Sequence, residues 1–485
     1  MKKIYGIKNS KASGPILLLG AQYITKIMGP LVALLVVRYL GSEDYGLYAS
    51  AIAVTSFLSF LPDFGLQQST LKLSVNSNVK ISELIKLTVN TSIVYTLIAF
   101  ILLYFWLNEF NYDNTVKLIA YIVGISFFRS SIMMVMTTLL QIKQKYSRIA
   151  SWNLIINSMQ WILTVVCIIM KVDIFQLVFW PQVFSFFITV ILFIWEGRKI
   201  KLFSKFTSLK IKGTYKQLIG QSLEFGTAGS MQQMYHRSDA AILSAFRSPL
   251  EVGYFSVAVK ITDLINFFPG VLFNQVLYPK FFKWSKDNRE KYLIFYKMIN
   301  KSMLILGILA CSVLLLFTKE LVYIVYGSNE VSSAIFLSIM LFGVPLRFVA
   351  SSIGAILTTD NLIRKKIKIQ SIIAIVNVGS NIIFVPYYGA IAAAILMVIT
   401  DFLLLIGYLI FTNKYVTKSH FSKKLLYNLP LLIGLLILSI FIAELPFVYK
   451  ILTGTLTTII YIVILFFSFE KDEFTVIKSL FIKKR

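Results

Sequence analysis

What most constrains this chain is a succession of apolar runs about as long as a bilayer is thick. Ile16 to Val37 and Leu429 to Ala443 are two of them. In helical form about 20 apolar residues cross the hydrocarbon core, and in lipid every backbone donor and acceptor must be satisfied inside the chain. The fold expected is all-α: a polytopic membrane protein with about 14 transmembrane helices. The spans read as roughly 15–39, 46–71, 84–106, 116–141, 149–170, 174–195, 217–245, 252–279, 293–316, 331–357, 369–386, 388–411, 425–443 and 451–469. Only 14% of the 485 residues are charged and 57% are hydrophobic. That excludes a soluble enzyme, a disordered chain and a secreted disulfide scaffold. The first run reaches Arg38-Tyr39-Leu40-Gly41 with no small-x-small pattern, so it reads as a retained span, not a removed signal. Cys167 and Cys311 each lie inside an apolar run and read as small buried apolar residues.

A net charge of +26 invites a nucleic-acid partner until the charges are placed. At or beside the N-terminus, every second loop and the C-terminus stand 37 of the 48 Lys and Arg; the alternate loops hold six, Arg38, Lys117, Lys171, Arg247, Lys319 and Lys450. The positive-inside rule absorbs the whole surplus. It predicts a multi-pass protein of the cytoplasmic (inner or plasma) membrane with both termini cytoplasmic and no nucleic-acid partner.

An internal repeat organises the spans. Asp44-Tyr45-Gly46 and Glu251-Val252-Gly253 stand 207 residues apart, as do Phe60-Leu61-Pro62 and Phe267-Phe268-Pro269. Asn153-x-x-x-Asn157 and Asn377-x-x-x-Asn381 stand 224 apart. The pattern predicts two pseudo-symmetric six-helix lobes of the same orientation, the parallel-repeat plan of some secondary transporters. The expected boundaries are a first lobe over 1–200, a basic cytoplasmic linker over 201–216, a second lobe over 217–415, and two additional C-terminal helices with a tail over 416–485. Prolines 30, 62, 181, 269 and 345 interrupt spans. Those at 62 and 269 are expected to kink equivalent places in the two lobes.

Ten charges fall inside spans: Lys26, Arg129, Arg237, Lys260 and Arg347, with Asp63, Glu224, Asp239, Asp263 and Asp401. Facing lipid they would cost on the order of 30 kcal/mol together, so they belong to a bundle interior or a wet cavity. Lys26 and Arg237 sit on the first span of each repeat, Arg129 and Arg347 on the fourth. Two readings of the cations stand: they bind an anionic, phosphate-bearing substrate near midplane, or they neutralise the acids. Lys260 and Asp263 are spaced for a local pair, and Lys260 joins the substrate-binding candidates. Asp63, Asp239 and Asp263 are candidates to carry a coupling proton or sodium ion, or to compensate nearby cations. His236 reads as a helix-packing group or a proton relay, and with one membrane histidine no metal site is expected.

Several segments carry a family resemblance: Leu40-Gly41-Ser42-Glu43-Asp44-Tyr45-Gly46-Leu47-Tyr48, Asp63-Phe64-Gly65-Leu66, Arg237-Ser238-Asp239 followed by Glu251-Val252-Gly253-Tyr254, and Tyr388-Gly389-Ala390-Ile391-Ala392-Ala393-Ala394. In their order the chain resembles the polysaccharide (Wzx-type, O-antigen or repeat-unit) flippases of the multidrug/oligosaccharidyl-lipid/polysaccharide exporter superfamily. The resemblance implies a transporter and not an enzyme. It would flip undecaprenyl-diphosphate-linked oligosaccharide by alternating access through a cationic cavity, without a cofactor and with a proton or sodium gradient as the driving force. It also implies polysaccharide polymerase and glycosyltransferases as pathway partners, and a lipid groove at spans thirteen and fourteen. The alternatives are a multidrug antiporter of the same superfamily or a membrane polysaccharide polymerase.

Overall fold

The computed structural model describes residues 13–76, 80–199, 211–271, 288–327, 331–359, 362–421 and 423–470, with Leu277, Phe281, Trp284 and Glu473. All regular structure among them is helical. In chain order the helices are α1 (Ser13–Leu58), α2 (Leu66–Asn76), α3 (Ile81–Glu109), α4 (Asn114–Ile142), α5 (Tyr146–Ile169), α6 (Ile174–Lys199), α7 (Ile211–Phe246) and α8 (Pro249–Val271). There follow α9 (Arg289–Leu316), α10 (Thr318–Tyr326), α11 (Val331–Leu341), α12 (Gly343–Thr359), α13 (Ile363–Tyr415), α14 (Lys423–Ile442) and α15 (Phe447–Phe467). Among the described residues, eight helical stretches are long and apolar enough to cross a membrane, α13 among them at 53 residues and one, 332–358, running through α11 and α12. The chain is a multi-pass membrane protein.

The structure corrects several span boundaries. Spans one and two are not separated by a loop: α1 runs through both and turns at Gly41, with φ 72° and ψ −175°. Spans eleven and twelve are likewise joined in α13 and turn at Gly389, with φ 61° and ψ −143°. That conformation is open to glycine and strained for any residue with a Cβ, so at each place a single residue turns the chain; at Gly41 it stands where a loop over 40–45 was expected, and at Gly389 it lies close to the one-residue gap the spans left. Span two breaks over 59–65, between α1 and α2. Pro62 therefore lies in a turn and does not kink a helix, whereas Pro269 stays inside α8. Pro345 falls in the first turn of α12, where its missing N–H costs no helical bond. The basic 201–216 segment lies outside the described residues as far as 210.

Contacts divide the chain into two compact units, Met1–Gly253 and Tyr254–Arg485. In the first, α1 packs on α4 and α5, α6 packs on α4 and α5, and α7 lies on α1 and α2. Ala51, Val54 and Leu58 of α1 meet Ala99 and Leu103 of α3 and Val116, Ile119 and Phe127 of α4 in one buried cluster. Lipid offers no hydrophobic gain for such contacts, so association depends on close fit and on interhelical polar bonds. Two glycine crossings supply the fit. A Cβ on Gly253 would lie 3.0 Å from the Cα of Gly46, its partner in the repeat, and one on Gly46 would lie 2.4 Å from the Pro249 carbonyl oxygen. At the break in span two, Gly226 meets the Phe64 carbonyl so closely that a Cβ there would lie 2.5 Å from it. Hydroxyl bonds fasten the same seam: Ser222 donates to the Phe64 carbonyl at 2.7 Å and Ser69 to the Leu218 carbonyl at 3.0 Å.

In the second unit α9 is the hub, packing on α12, α14 and α15. Ile305 and Ile308 of α9 join Leu432 and Leu435 of α14 and Tyr461 and Ile464 of α15. The buried Tyr461 hydroxyl lies 2.9 Å from Ser312 Oγ and donates to the Leu432 carbonyl, also at 2.9 Å. The basic end of α9 is more buried than the charge count implied. Lys301 has no exposed side-chain surface; its ammonium reaches Glu473 at 2.5 Å and the Ser468 carbonyl at 2.6 Å. This cation does not belong to the solvated basic side, because it fastens the segment after α15.

One turn earlier, Tyr296 Oη lies 2.7 Å from His420 Nδ1, and His420 Nε2 lies 2.6 Å from Asn413 Oδ1. A neutral imidazole satisfies both, with Tyr296 donating and Nε2–H donating in turn. Burial, reinforced by the Lys297 charge, pushes the His420 pKa down to about 4 from 6.5.

Two outcomes are expected. Gly226→Leu overpacks the crossing and costs about 2 kcal/mol or more, seen as a lower melting temperature in detergent. Gly213→Leu, where a Cβ meets nothing within 4 Å, stays near wild type. For His420 the unfolded chain takes up a proton near pH 6.5 while the folded chain resists until about 4. Its contribution is therefore complete above pH 6.5 and is lost as pH falls toward 4, at up to about 1.4 kcal/mol per unit. His420→Gln should flatten the melting temperature between pH 6.5 and 4 relative to wild type; equal slopes would refute this assignment.

Candidate functional site

α4 begins at an N-cap, where the Asp113 carboxylate accepts from the Thr115 N–H at 2.7 Å. Continuing from there in helical rise, Arg129 lies about 24 Å along the axis, deep in the membrane. Its guanidinium Nη1 donates to Gln160 Oε1 on α5 and to Ser185 Oγ on α6, the latter at 3.2 Å. Among the described residues it makes no ion pair with a carboxylate. Ser185 in turn donates to the Gln182 carbonyl at 3.0 Å, while the buried Oε1 of Gln182 has no hydrogen-bond partner. Arg129 thus keeps its full positive charge among neutral oxygens, an arrangement that favours an anion brought near it.

Arg347 on α12 is handled in the opposite way. Its Nε and Nη2 both donate to Asp401 Oδ1 of α13, at 3.1 and 3.0 Å. Asp401 is buried, and Gly343 leaves the room it occupies: a Cβ at that position would lie 3.0 Å from Asp401 Oδ2. Beside this pair, Asn377 donates to Thr400 Oγ1 at 3.0 Å. Asn381 donates back to the Asn377 carbonyl at 2.9 Å, as Asn157 does to Asn153 at 2.7 Å. The asparagine pairs matched in sequence therefore make the same bond in both units.

The remaining candidates stand on other elements. Arg237 and His236 are exposed on α7 while Asp239, two residues on, is buried. Lys260 is half-buried and Asp263 exposed, one turn apart on α8. Asp63 lies in the break between α1 and α2, where its side chain accepts from the Gln67 N–H at 2.9 Å and its carbonyl from the Leu66 N–H at 2.7 Å. It caps α2, which satisfies a backbone donor the break leaves open. Lys26 stands in α1, but its side chain lies outside the described residues. In unit 1 the structure sets Arg129 against Gln160 and Ser185. In unit 2 it joins Arg347 to Asp401. Sequence reasoning missed the neutral partners because it followed charge; amides and hydroxyls inside apolar spans were the signal available.

The second unit also carries an apolar groove of about 460 Å³. It is lined by Leu264 and Phe268 of α8, Leu309 and Val313 of α9, Phe348 of α12 and Thr458 of α15, among others. Asp263 and Arg347 each immediately precede a lining residue, Leu264 and Phe348.

The family model described as polysaccharide biosynthesis protein matches residues 12–285. No curated protein is similar enough in sequence to match. Among solved structures, lipid II flippase MurJ in an inward closed conformation superimposes with a TM-score of 0.72 at 18% identity, covering 92% of this chain and 98% of that one. An inward-facing multidrug resistance MATE family transporter of the MOP superfamily gives 0.59 at 13% identity, covering 82% of this chain and 97% of that one. At these identities the likeness is one of fold, a transporter fold shared by both.

Arg347→Met strands a buried carboxylate and should cost about 3–5 kcal/mol. Arg347→Met combined with Asp401→Leu should recover most of that loss in thermal unfolding. A double variant as unstable as the single one would show that the two charges do not compensate each other.

Proposed function

This chain belongs to the polysaccharide biosynthesis protein family, and from that premise we propose that it is a secondary transporter flipping lipid-linked oligosaccharide across the cytoplasmic membrane. The substrate is an undecaprenyl-diphosphate-linked repeat unit used in polysaccharide synthesis, and transport proceeds by alternating access. The observation that carries the reading is Arg129, a membrane-embedded guanidinium held by Gln160 and Ser185 with no carboxylate pair among the described residues. Diphosphate oxygens match the planar donors of arginine, and a neutral surround leaves that charge available. Lys26, Arg237, Lys260 and Arg347 are the other cations assigned to the substrate path; Arg347 is to exchange Asp401 for a phosphate oxygen.

The polyprenyl chain needs an apolar bed, and the groove bounded by α8, α9, α12 and α15 has the lining for it. It lies beside helices that also carry Lys260 and Arg347, so a polar head and an apolar tail are served by the same elements. Coupling to a proton or sodium gradient is assigned to Asp239 and Asp263; the carboxylate of Asp63, engaged as a helix cap, makes it the weakest of the three. Polymerase and glycosyltransferases of the same pathway are the partners in this reading, and both termini are cytoplasmic. The MATE-type fold likeness also suits a drug antiporter, but a membrane-embedded cation with no carboxylate partner among the described residues repels the cationic substrates of such a carrier.

Arg129→Gln and Arg237→Gln should each abolish glycan export in cells while membrane insertion stays normal. Near-normal export in both would remove the cationic path. In vesicles, collapsing the proton and sodium gradients should stop flux; unchanged flux would remove the coupling.

A further inference from the structure

The basic ends of α4, α5 and α6 meet in unit 1, well away from Arg129. Glu196, 1% exposed, accepts through Oε1 from Arg148 at 2.7 Å and from Lys199 at 3.0 Å. Its Oε2 is buried without a hydrogen-bond partner. Lys199 also sits over the Trp195 ring, 3.0 Å from the centroid, and Trp195 stacks on the buried Trp152 at 5.6 Å. Half of Trp195 stays exposed, at 51%, the behaviour of an indole at the level of lipid headgroups. Lys143 and Lys145, in the connection from α4 to α5, complete the group. Neither side chain makes a hydrogen bond or ion pair among the described residues.

These charges sense one another. The Lys143 ammonium is held below its usual range by burial first and then by Lys145, against the pull of Glu196, and further by Arg148 and Lys199. One carboxylate for four cations leaves the cluster short of negative charge, at the height of the membrane where Trp195 projects.

We propose that Lys143, Lys145, Arg148 and Lys199, with Trp195, form a headgroup site for an anionic phospholipid of the surrounding bilayer. The phosphodiester takes the donors of Lys143, Lys145 and Arg148, and the exposed indole packs against the glycerol region. Glu196 orients Arg148 and Lys199 and does not touch the lipid. Arg129 lies about 20 Å back along α4, so this site is separate from the substrate path and does not rest on the transport reading. Its occupant is a component of the leaflet on the Lys-rich side, where such lipids add about 1 kcal/mol of attraction per basic residue.

The test uses the full chain in nanodiscs of phosphatidylcholine alone or mixed with phosphatidylglycerol, read by melting temperature, with native mass spectrometry counting retained lipid. Phosphatidylglycerol should raise the wild-type melting temperature and remain bound. Lys143→Gln with Lys145→Gln should lose at least half of that rise and of the retained lipid. Lys143→Arg with Lys145→Arg should keep both, and so should Lys117→Gln with Lys171→Gln at the other ends of the helices. A full phosphatidylglycerol effect in the glutamine pair would overturn the proposal, as would an absent effect in wild type. Equal stabilisation of the detergent-solubilised protein by inorganic pyrophosphate would overturn it too, assigning the cluster to free anions.

Discussion

A charge inside hydrocarbon must be compensated, and most of what is specific about this protein follows from how each one is. Three solutions occur. Arg347 is neutralised by Asp401 across α12 and α13. Lys301 is enclosed by Glu473 and a carbonyl, so that a cation counted among the solvated ones fastens the chain beyond α15. Arg129 is held by neutral oxygens alone among the described residues and keeps its charge in reserve. In the first two, attraction between the partners offsets desolvation. The third leaves the field of a cation available to something that arrives.

The second constraint is the backbone. With no water in the bilayer core, a chain that turns or breaks there must satisfy its peptide groups locally. The break at 59–65 does so through Asp63, which caps α2, and through Ser222, which donates to the Phe64 carbonyl. The same place brings Gly226 against that carbonyl. A motif that resembled a functional signature, Asp63-Phe64-Gly65-Leu66, thus does structural work at a helix break. The repeated Gly46 and Gly253 behave alike: they face each other at van der Waals distance, and their recurrence in the repeat is a packing requirement.

These two constraints together give the proposed transport its physical form. Paired charges and capped breaks build units that hold together in lipid; in the proposed reading a cation such as Arg129 suits the anionic end of a lipid-linked anion and an apolar groove its hydrocarbon end. The further cluster at the ends of α4 to α6 serves neither end. Its surplus of positive charge stands beside an exposed indole, which is why an anionic lipid is its proposed occupant.

That the chain is all-helical and crosses the membrane many times was legible in residues alone, because hydropathy acts locally and needs no partner to be read. The matched asparagine spacing has a local counterpart: Asn157 and Asn381 each bond the carbonyl four residues earlier. Partner choice was not legible. That Arg347 takes Asp401, 54 residues on, and Arg129 takes Gln160 and Ser185 depends on which helix faces become neighbours. Nor did the spans reveal that the turns rest on the single residues Gly41 and Gly389, since a positive φ is a property of the folded backbone. Sequence determines what each helix must hide; only the packed structure decides what it is hidden against, because compensation of a buried charge is a matter of distances between elements remote in the chain.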